Sequence, residues 1–441
     1  MDLLYGNDRL GTYPDSWYHA TTEELTPFPA LTESTSCDVC VIGSGYTGLS
    51  TALHLAEAGV DVILLDAHRV GWGASGRNGG QVGSGFNKDQ IEFEKLVGQK
   101  AARSLWQLSQ DAKNIVRQLI ERHTIECDYT PGILNTTWKP KQMREHERYA
   151  EYMVSNYDYH ALKVLDQRAV STLLGTDVYA GGTLDNDGAH LHPLKYSLGL
   201  AKACAQAGVR LHEQTLATHI DKDSTTTQNA IKIGVKNNNI LSTITAGQVV
   251  LACNGYLGDL NNDVARRVMP INNFIIATEP LDSFTPAILS TDAAVADSRF
   301  VVNYFRKSND NRLLFGGGEN YSYRFPADIE RVVRKPMEEV FPQLRGCRID
   351  YAWGGTLAIT LNRLPCFHRI NHQIMSASGY SGHGVALATL AGKVCSDAIT
   401  GNSTAFDQLA SLPQHAFPGG TRFRSLLLKL AMTWGTLQDK L

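Results

Sequence analysis

The sequence predicts an α/β protein in which a Rossmann-like dinucleotide-binding domain is interleaved with a second domain. Three stretches predict it. Cys37-Asp-Val-Cys-Val-Ile42 is a short apolar strand that passes through a glycine turn into a helix from about Tyr46 to Ala58, then into a second strand, Val60–Leu65. This strand–turn–helix–strand unit of about 30 residues has the size expected for dinucleotide binding. Residues 71–86 are rich in glycine, and Gly379-Tyr-Ser-Gly-His-Gly384 is a further glycine turn entering a helix from about Val385 to Ile399. Nucleotide-type signals near both ends of the chain imply two interleaved domains rather than beads on a string.

The other elements follow in order. Residues 1–36 read as an irregular arm with Pro14, Pro27 and Pro29, and its Tyr13, Trp17 and Tyr18 predict that it packs on the body. A long helical tract runs from about Asp89 to Arg122, with helix signals near 141–156 and 193–207 among short strands and turns. A hairpin is expected over Ile231–Val235 and Ile240–Ile244, turning at Asn237–Asn239, and Gln248–Ala252 is another buried strand. From 270 to 350 the reading is again of strands, at Asn272–Thr278, Phe300–Phe305 and Leu313–Gly317, with one more at Gln373–Ala377.

Composition narrows the function classes. The 441 residues are 43% apolar, enough for a sizeable core, and 41 basic residues balance 44 acidic ones for a formal charge of −3. A nucleic-acid binder would normally show a basic patch or stripe, and none stands out. The N-terminus lacks an apolar run after a basic start, so it does not read as a secretory signal. No stretch approaches the roughly 18 apolar residues of a membrane span. A reducing, cytoplasmic setting is expected. Of the eight cysteines only Cys37 and Cys40 form a CxxC pair, on a strand where residues three apart face opposite ways. They read as small buried residues, and no metal-ligand spacing is evident.

The first chemistry-bearing motif is Gly43-Ser44-Gly45-Tyr46-Thr47-Gly48. A lone GxGxxG is weak, but this one leaves a strand, enters a helix and meets Asp66, with Ala67 after it, 18 residues past its last glycine. Its glycines let the backbone approach a pyrophosphate, the helix N-terminus offers unpaired N–H groups, and Asp66 would accept from ribose hydroxyls. The bland alternative is a tight strand–helix turn ending at a surface acid. Val70-Gly-Trp-Gly73 and Val82-Gly-Ser-Gly85 do not sit in a second such unit, so there is no separate fold for a nicotinamide cofactor. One dinucleotide site beside a large second domain suits a redox cofactor reduced by the bound substrate itself.

The motifs GxGYTG, Gly73-Ala74-Ser75-Gly76-Arg77-Asn78-Gly79-Gly80-Gln81, Asn311-Arg-Leu-Leu-Phe-Gly-Gly-Gly318 and Gly379–Gly384 together resemble the D-amino-acid-oxidase/glycine-oxidase superfamily of flavoproteins. Within it they resemble the γ-glutamylputrescine oxidoreductases, with support from His190-Leu-His-Pro193, Phe341-Pro-Gln-Leu344 and Phe417-Pro-Gly-Gly420. The resemblance covers residues 30–420. It implies an FAD-binding domain interleaved with an α+β substrate domain on a mostly antiparallel sheet. On this basis 37–86, part of 155–230, 245–265 and 350–400 are assigned to FAD binding, 87–154 and 266–349 mainly to the substrate domain, and 401–441 to a C-terminal helical tail.

The resemblance further implies that Gly73–Gln81 line the flavin and its pyrophosphate, that Gly379, Tyr380, Gly382, His383, Gly384 and Val385 reach the flavin pyrimidine edge, and that Ala217, Asn254, Gly255 and Gly355 complete the cofactor site. A helix starting at Val385 would turn its positive end toward that edge, and His383 would add a donor. Where related sarcosine oxidases tether flavin through cysteine, this chain has Trp353-Gly354-Gly355-Thr356, so FAD is expected to be non-covalent. Leu313 and Leu314 stand where those oxidases carry the lysine that serves oxygen, which leaves oxygen or an electron carrier open as acceptor.

The expected reaction is oxidation of the primary amine of a γ-glutamylated polyamine to an aldehyde. The alternatives are another small amine or amino acid as substrate, or a non-catalytic flavin scaffold. Tyr380 and His383 are the candidate catalytic residues, and Gln81, His192, Tyr304 and Tyr380 the candidate substrate contacts, with His190 beside them. Each tyrosine and histidine could equally serve packing. Phe423, Leu427, Leu430, Trp434 and Leu437, flanked by Arg422, Arg424, Lys429 and Lys440, form a basic amphipathic stripe. It suits either packing on the protein's own body, the favoured reading, or docking on a membrane surface.

Overall fold

The first strand, Thr35–Ile42, is apolar on both faces because both are covered. Val39 and Val41 join Leu49 and Leu53 of the helix Tyr46–Glu57 on one side, while Cys40 and Ile42 meet Ile233, Ile244 and Ile63 on the other. It pairs in parallel with Val62–Leu65 and with Ile240–Leu251, at the centre of an eight-stranded sheet. That sheet runs Cys366–Arg369, Ile374–Ser378, Ile240–Leu251, Thr35–Ile42, Val62–Leu65, Arg210–His212, with Leu216–Ile220 and Ile231–Asn237 as an antiparallel extension. This computed structural model describes residues 2–221, 230–282, 288–320 and 322–421.

The helices Tyr46–Glu57, Pro193–Gln206, Gln99–Arg122 and Gly384–Ile399 pack together on one face of this sheet, and their apolar sides make the largest core cluster. The second sheet has nine strands and is mostly antiparallel. Its order is Ile349–Ile359, Met269–Thr278, Leu313–Asn320, Tyr304–Lys307, Ala294–Asp297, Thr130–Thr137, Gly181–His190, Gln81–Val82, with Leu162–Asp166 beside Gly181–His190. Helix Ile329–Val340 buries Val333, Met337 and Val340 against it. The glycine loop crosses between the sheets, since it leaves the first dinucleotide strand pair and ends where Gln81 pairs with His190. The arm is part of the body: Tyr13, Trp17 and Tyr18 are buried.

Several expectations are corrected. Ile240–Ile244 and Gln248–Ala252 are one continuous strand, Ile240–Leu251, whose first half pairs antiparallel with Ile231–Asn237 while its length pairs in parallel with Thr35–Ile42. Strand Ile349–Ile359 belongs to the second sheet although 350–400 were read with the FAD domain; within 155–230, of which only part was read with that domain, Leu162–Asp166 and Gly181–His190 also join the second sheet. Helix Gln99–Arg122, in the stretch read mainly with the substrate domain, packs on Gly384–Ile399. The helical tract 89–122 is two helices broken at Gly98, whose φ of +82° suits glycine. Helix Ile329–Val340 stands where only strands were expected, because its apolar spacing outweighs Pro336. Residues 298–303 form a loop, since the Asp297 carboxylate accepts from the Asn303 backbone N–H and side-chain amide, both at 2.9 Å.

Cys37 and Cys40 are buried free thiols, and burial pushes Cys37 up to about 11. Among the described residues no helix is long and apolar enough to cross a membrane. The amphipathic stripe expected at 422–441 lies outside the described residues.

Candidate active site

The first glycine turn is built by close approach. Gly43 has φ +104°, and a Cβ at Gly48 would lie 1.8 Å from the Gly43 carbonyl, so the helix can sit on the strand end only with glycine there. The helix has no capping side chain at Gly45, and of its leading N–H groups that of Tyr46 donates to Ser75 Oγ at 3.0 Å. Asp66 ends the second strand. Its Oδ2 accepts from Ser44 N–H at 2.8 Å and Ser44 Oγ at 2.6 Å, and its Oδ1 from His68 N–H at 2.8 Å. A carboxylate has about four acceptor positions, so Asp66 braces the turn and retains capacity for one more donor. Ala67 is partly buried beside it, and Thr215 N–H donates to the Asp66 carbonyl at 2.7 Å, which brings Ala217 two residues further to the same strand end.

The loop from Gly73 to Gln81 folds back on itself. Asn78 Nδ2 donates to the Ala74 and Ser75 carbonyls, both at 3.0 Å, and its Oδ1 accepts from Gly80 N–H at 2.8 Å. Asn78 therefore shapes the loop. Arg77 is buried, donating to the Trp72 carbonyl at 2.6 Å and the Gly354 carbonyl at 3.1 Å, and it pairs with Asp8 of the arm at 2.9 Å. Gly355 passes close over the Arg77 side chain, and Trp353 Nε1 donates to the Arg77 carbonyl at 3.1 Å. Trp72, absent from the sequence expectations, stacks on His68 at 3.7 Å and lies under the Arg77 guanidinium.

The last glycine turn reaches the same place. Asn254, at φ +49°, accepts through Oδ1 from Gly379 N–H at 2.9 Å, and Gly255 passes close over the Leu357 carbonyl. His383 is the N-cap residue of helix Gly384–Ile399 and contributes no capping side-chain bond, so the first N–H groups, from Gly384 and Val385 onward, are left open. Gly382 is exposed at the turn's tip. Burial lowers the His383 pKa, which keeps the ring neutral. Tyr380 faces the other way: its hydroxyl hydrogen-bonds Thr47 Oγ1 at 2.6 Å inside the core. The Tyr380 hydroxyl, expected at the flavin and substrate, is thus engaged with the first helix.

Gln81 and Tyr304 are brought together. They line a small cavity with Tyr18, Gly79, Ile275, Phe305, Arg306 and Leu314. Gln81 Nε2 donates to the Val295 carbonyl at 3.1 Å, and the Tyr304 ring lies over Gly79 and Gly316 with its hydroxyl donating to Asn273 Oδ1. His192 does not join them. It caps helix Pro193–Gln206 by accepting Lys195 N–H at 3.2 Å, its Nε2 meets Thr21 Oγ1 at 3.1 Å, and Trp17 and Tyr18 cover the ring. His192, expected at the substrate, caps this helix in the structure, with burial pushing its pKa down to about 2. His190 Nε2 meets the Asp292 carbonyl at 2.7 Å. An open depression over helix Ile329–Val340 is lined by charged side chains such as Glu330, Arg331 and Lys335, and holds none of these residues.

A family model described as FAD dependent oxidoreductase (DAO) matches residues 38–398. The chain belongs to this family. A relative from Rhizobium meliloti, probable oxidoreductase OrdL, is 42% identical and aligns over 96% of this chain and 97% of its own. The γ-glutamylputrescine oxidoreductase of Escherichia coli is 38% identical over 97% of this chain and 99% of its own. Among solved structures, glycine oxidase from Geobacillus kaustophilus superposes with a TM-score of 0.71 at 19% identity, covering 87% of this chain and 100% of that one, a likeness of fold.

The protein is thus an FAD-dependent oxidoreductase with the two-domain α/β architecture of DAO enzymes, and its residues fit that cofactor. Two helix N-termini, at Gly45 and His383, lack capping side chains. Arg77 Nη2, Trp72 Nε1, Ser378 Oγ and His383 Nδ1 are buried without partners at the same turns. Ser378 and Trp72 carry no sequence signal beyond lying next to the glycines. Tyr18 and Arg306 carry none, as their neighbours are distant in the chain.

Proposed function

We propose that this DAO-family protein oxidises the primary amine of γ-glutamylputrescine, or of a similar γ-glutamylated polyamine, to an aldehyde. Water supplies the aldehyde oxygen, ammonia is released and the electrons pass to oxygen, giving hydrogen peroxide. The observation that carries the reading is the full-length likeness to the E. coli enzyme of that name. The turn Gly43–Gly48, Asp66 and the loop Gly73–Gln81 would hold the FAD nucleotide half, with the turn Gly379–Val385 at the flavin. Bound FAD, held without a covalent bond, supplies a two-electron acceptor.

The chain's own residues position and polarise. The open N-terminus of helix Gly384–Ile399 concentrates positive potential at the turn and stabilises negative charge that develops there. Gln81 stands in the cavity beside Gly79 and Tyr304 as a polar contact that can orient the substrate.

The test is anaerobic mixing of the FAD-loaded protein with γ-glutamylputrescine while the visible flavin band is followed. Bleaching is expected, with colour returning and peroxide appearing on admission of air. A flavin that stays oxidised with this substrate but bleaches with another amine would move the substrate assignment, and bleaching reversed only by a dye or carrier would move the acceptor.

A further inference from the structure

Arg306 lies two residues beyond Tyr304 on the strand Tyr304–Lys307, so both side chains leave the same face of the second sheet and enter the same cavity. Arg306 is buried at 5% exposure, an unusual place for a guanidinium that lacks a counter-ion. Its hydrogen bonds are all long and all to uncharged oxygens: the carbonyls of Gly79 at 3.2 Å, Leu191 at 3.4 Å and Lys307 at 3.4 Å, and the hydroxyl of Tyr18 at 3.5 Å. Asp292 is the acid whose backbone meets neighbouring His190, and its carboxylate is engaged by Lys307 at 3.2 Å. Among the described residues no carboxylate pairs with Arg306.

The titratable groups around it cannot neutralise it either. His190 and His192 are held neutral by burial, with the charge of Arg306 adding to the effect, and burial keeps the Tyr18 hydroxyl protonated. By contrast the other deeply buried arginines are paired, Arg69 with Glu213 at 2.9 Å and Arg77 with Asp8 at 2.9 Å. A buried charge without a partner is strongly unfavourable, and a ligand anion removes the penalty. A planar guanidinium matches a carboxylate through two parallel N–H bonds.

We propose that Arg306 binds a carboxylate carried by the substrate at the end remote from the oxidised amine, and so selects acidic acyl-amines over plain diamines. This rests on the reading of the cavity as the substrate site of an amine oxidoreductase. Tyr18 from the arm and the Gly79 carbonyl hold the guanidinium in place, which makes the arm part of the specificity device.

The experiment titrates the FAD-loaded protein with N-butyl-γ-glutamylamide, which carries the carboxylate but no amine to oxidise at its far end, and with N-butyl-4-aminobutanamide, which lacks only the carboxylate. The flavin spectrum reports binding. The wild-type protein should bind the first about 30-fold more tightly, the lower range for one partner of a desolvated charge pair. Arg306→Met should bring the two within about threefold of each other. Arg306→Gln should do the same while keeping a donor for the Gly79 carbonyl, and it decides the matter if the methionine variant does not retain flavin.

Equal affinities in the wild type, or a preference that survives in the variant, overturns the proposal. So does a shifted flavin potential in Arg306→Gln with unchanged ligand preference, which would assign the charge to the flavin. If the carboxylate preference holds but γ-glutamylputrescine leaves the flavin oxidised, the carboxylate site stands and the oxidation reading falls. Bleaching without any preference gives the reverse.

Discussion

Tyr380 and His383 share one glycine turn, yet their side chains meet different surroundings, and this separates their expected effects. The Tyr380 hydroxyl bonds Thr47 Oγ1 at 2.6 Å in the core. Tyr380→Phe removes that bond and leaves a buried hydroxyl with one partner fewer, so it should cost about 1–2 kcal/mol of stability, read by denaturant unfolding. Flavin reduction in a single turnover should stay close to the wild-type rate. His383 has a buried Nδ1 without a partner at the open helix N-terminus. His383→Ala should slow flavin reduction by about 10-fold to 100-fold, as loss of a preorganised donor does, with little effect on the unfolding midpoint. The reverse pattern in stopped-flow and unfolding measurements would exchange the two assignments.

At the scale of elements, the junction of strand Gly181–His190 with helix Pro193–Gln206 contains two buried neutral histidines. Burial lowers His190 to about 3 and His192 to about 2, against an unfolded value near 6.5. Between these limits the unfolded chain binds more protons than the folded one, so stability rises with pH through this window and is full above about 6.5. As pH falls below 6.5 each histidine should withdraw about 1.4 kcal/mol per pH unit. Unfolding midpoints measured from pH 7 downward should show the decline, and His192→Asn, which preserves a capping side chain, should flatten it. The βαβ junction has a steric rather than electrostatic limit. A Cβ at Gly48 would overlap the Gly43 carbonyl, so Gly48→Ala should destabilise by about 3 kcal/mol and yield protein purified without flavin colour.

Across the whole molecule, the arm ties the parts together. Glu213, on the first sheet's margin, accepts Phe28 N–H of the arm at 3.1 Å and Val70 N–H at 2.8 Å while pairing with Arg69 at 2.9 Å. Both ionic side chains are almost fully buried. Glu213→Gln leaves the Arg69 guanidinium without its buried carboxylate, and the expected loss is about 3 kcal/mol by thermal or chemical unfolding, with weaker flavin retention because Val70 leads into the glycine loop. A variant as stable as wild type would show that the arm does not clamp the dinucleotide half.

Much of this protein was determined by local sequence. Thr35–Ile42, Tyr46–Glu57 and Val62–Leu65 follow from apolar periodicity and glycine spacing within a single stretch of chain, as does the hairpin about Asn238. The candidate FAD turns were legible for the same reason, since backbone approach and positive φ demand glycine locally. Other features were decided only by tertiary structure. Strand Ile349–Ile359 carries no mark of which sheet it joins, and that choice is made by its register with Met269–Thr278. The surroundings of His192 are set by Thr21 and the rings of Trp17 and Tyr18, far earlier in the chain. Arg306 is left without a carboxylate partner among the described residues only because folding buries it beside Gly79, Leu191 and Tyr18. Local steric rules are written into neighbouring residues, whereas burial and charge pairing depend on surfaces that meet only when the two sheets and the arm close on one another.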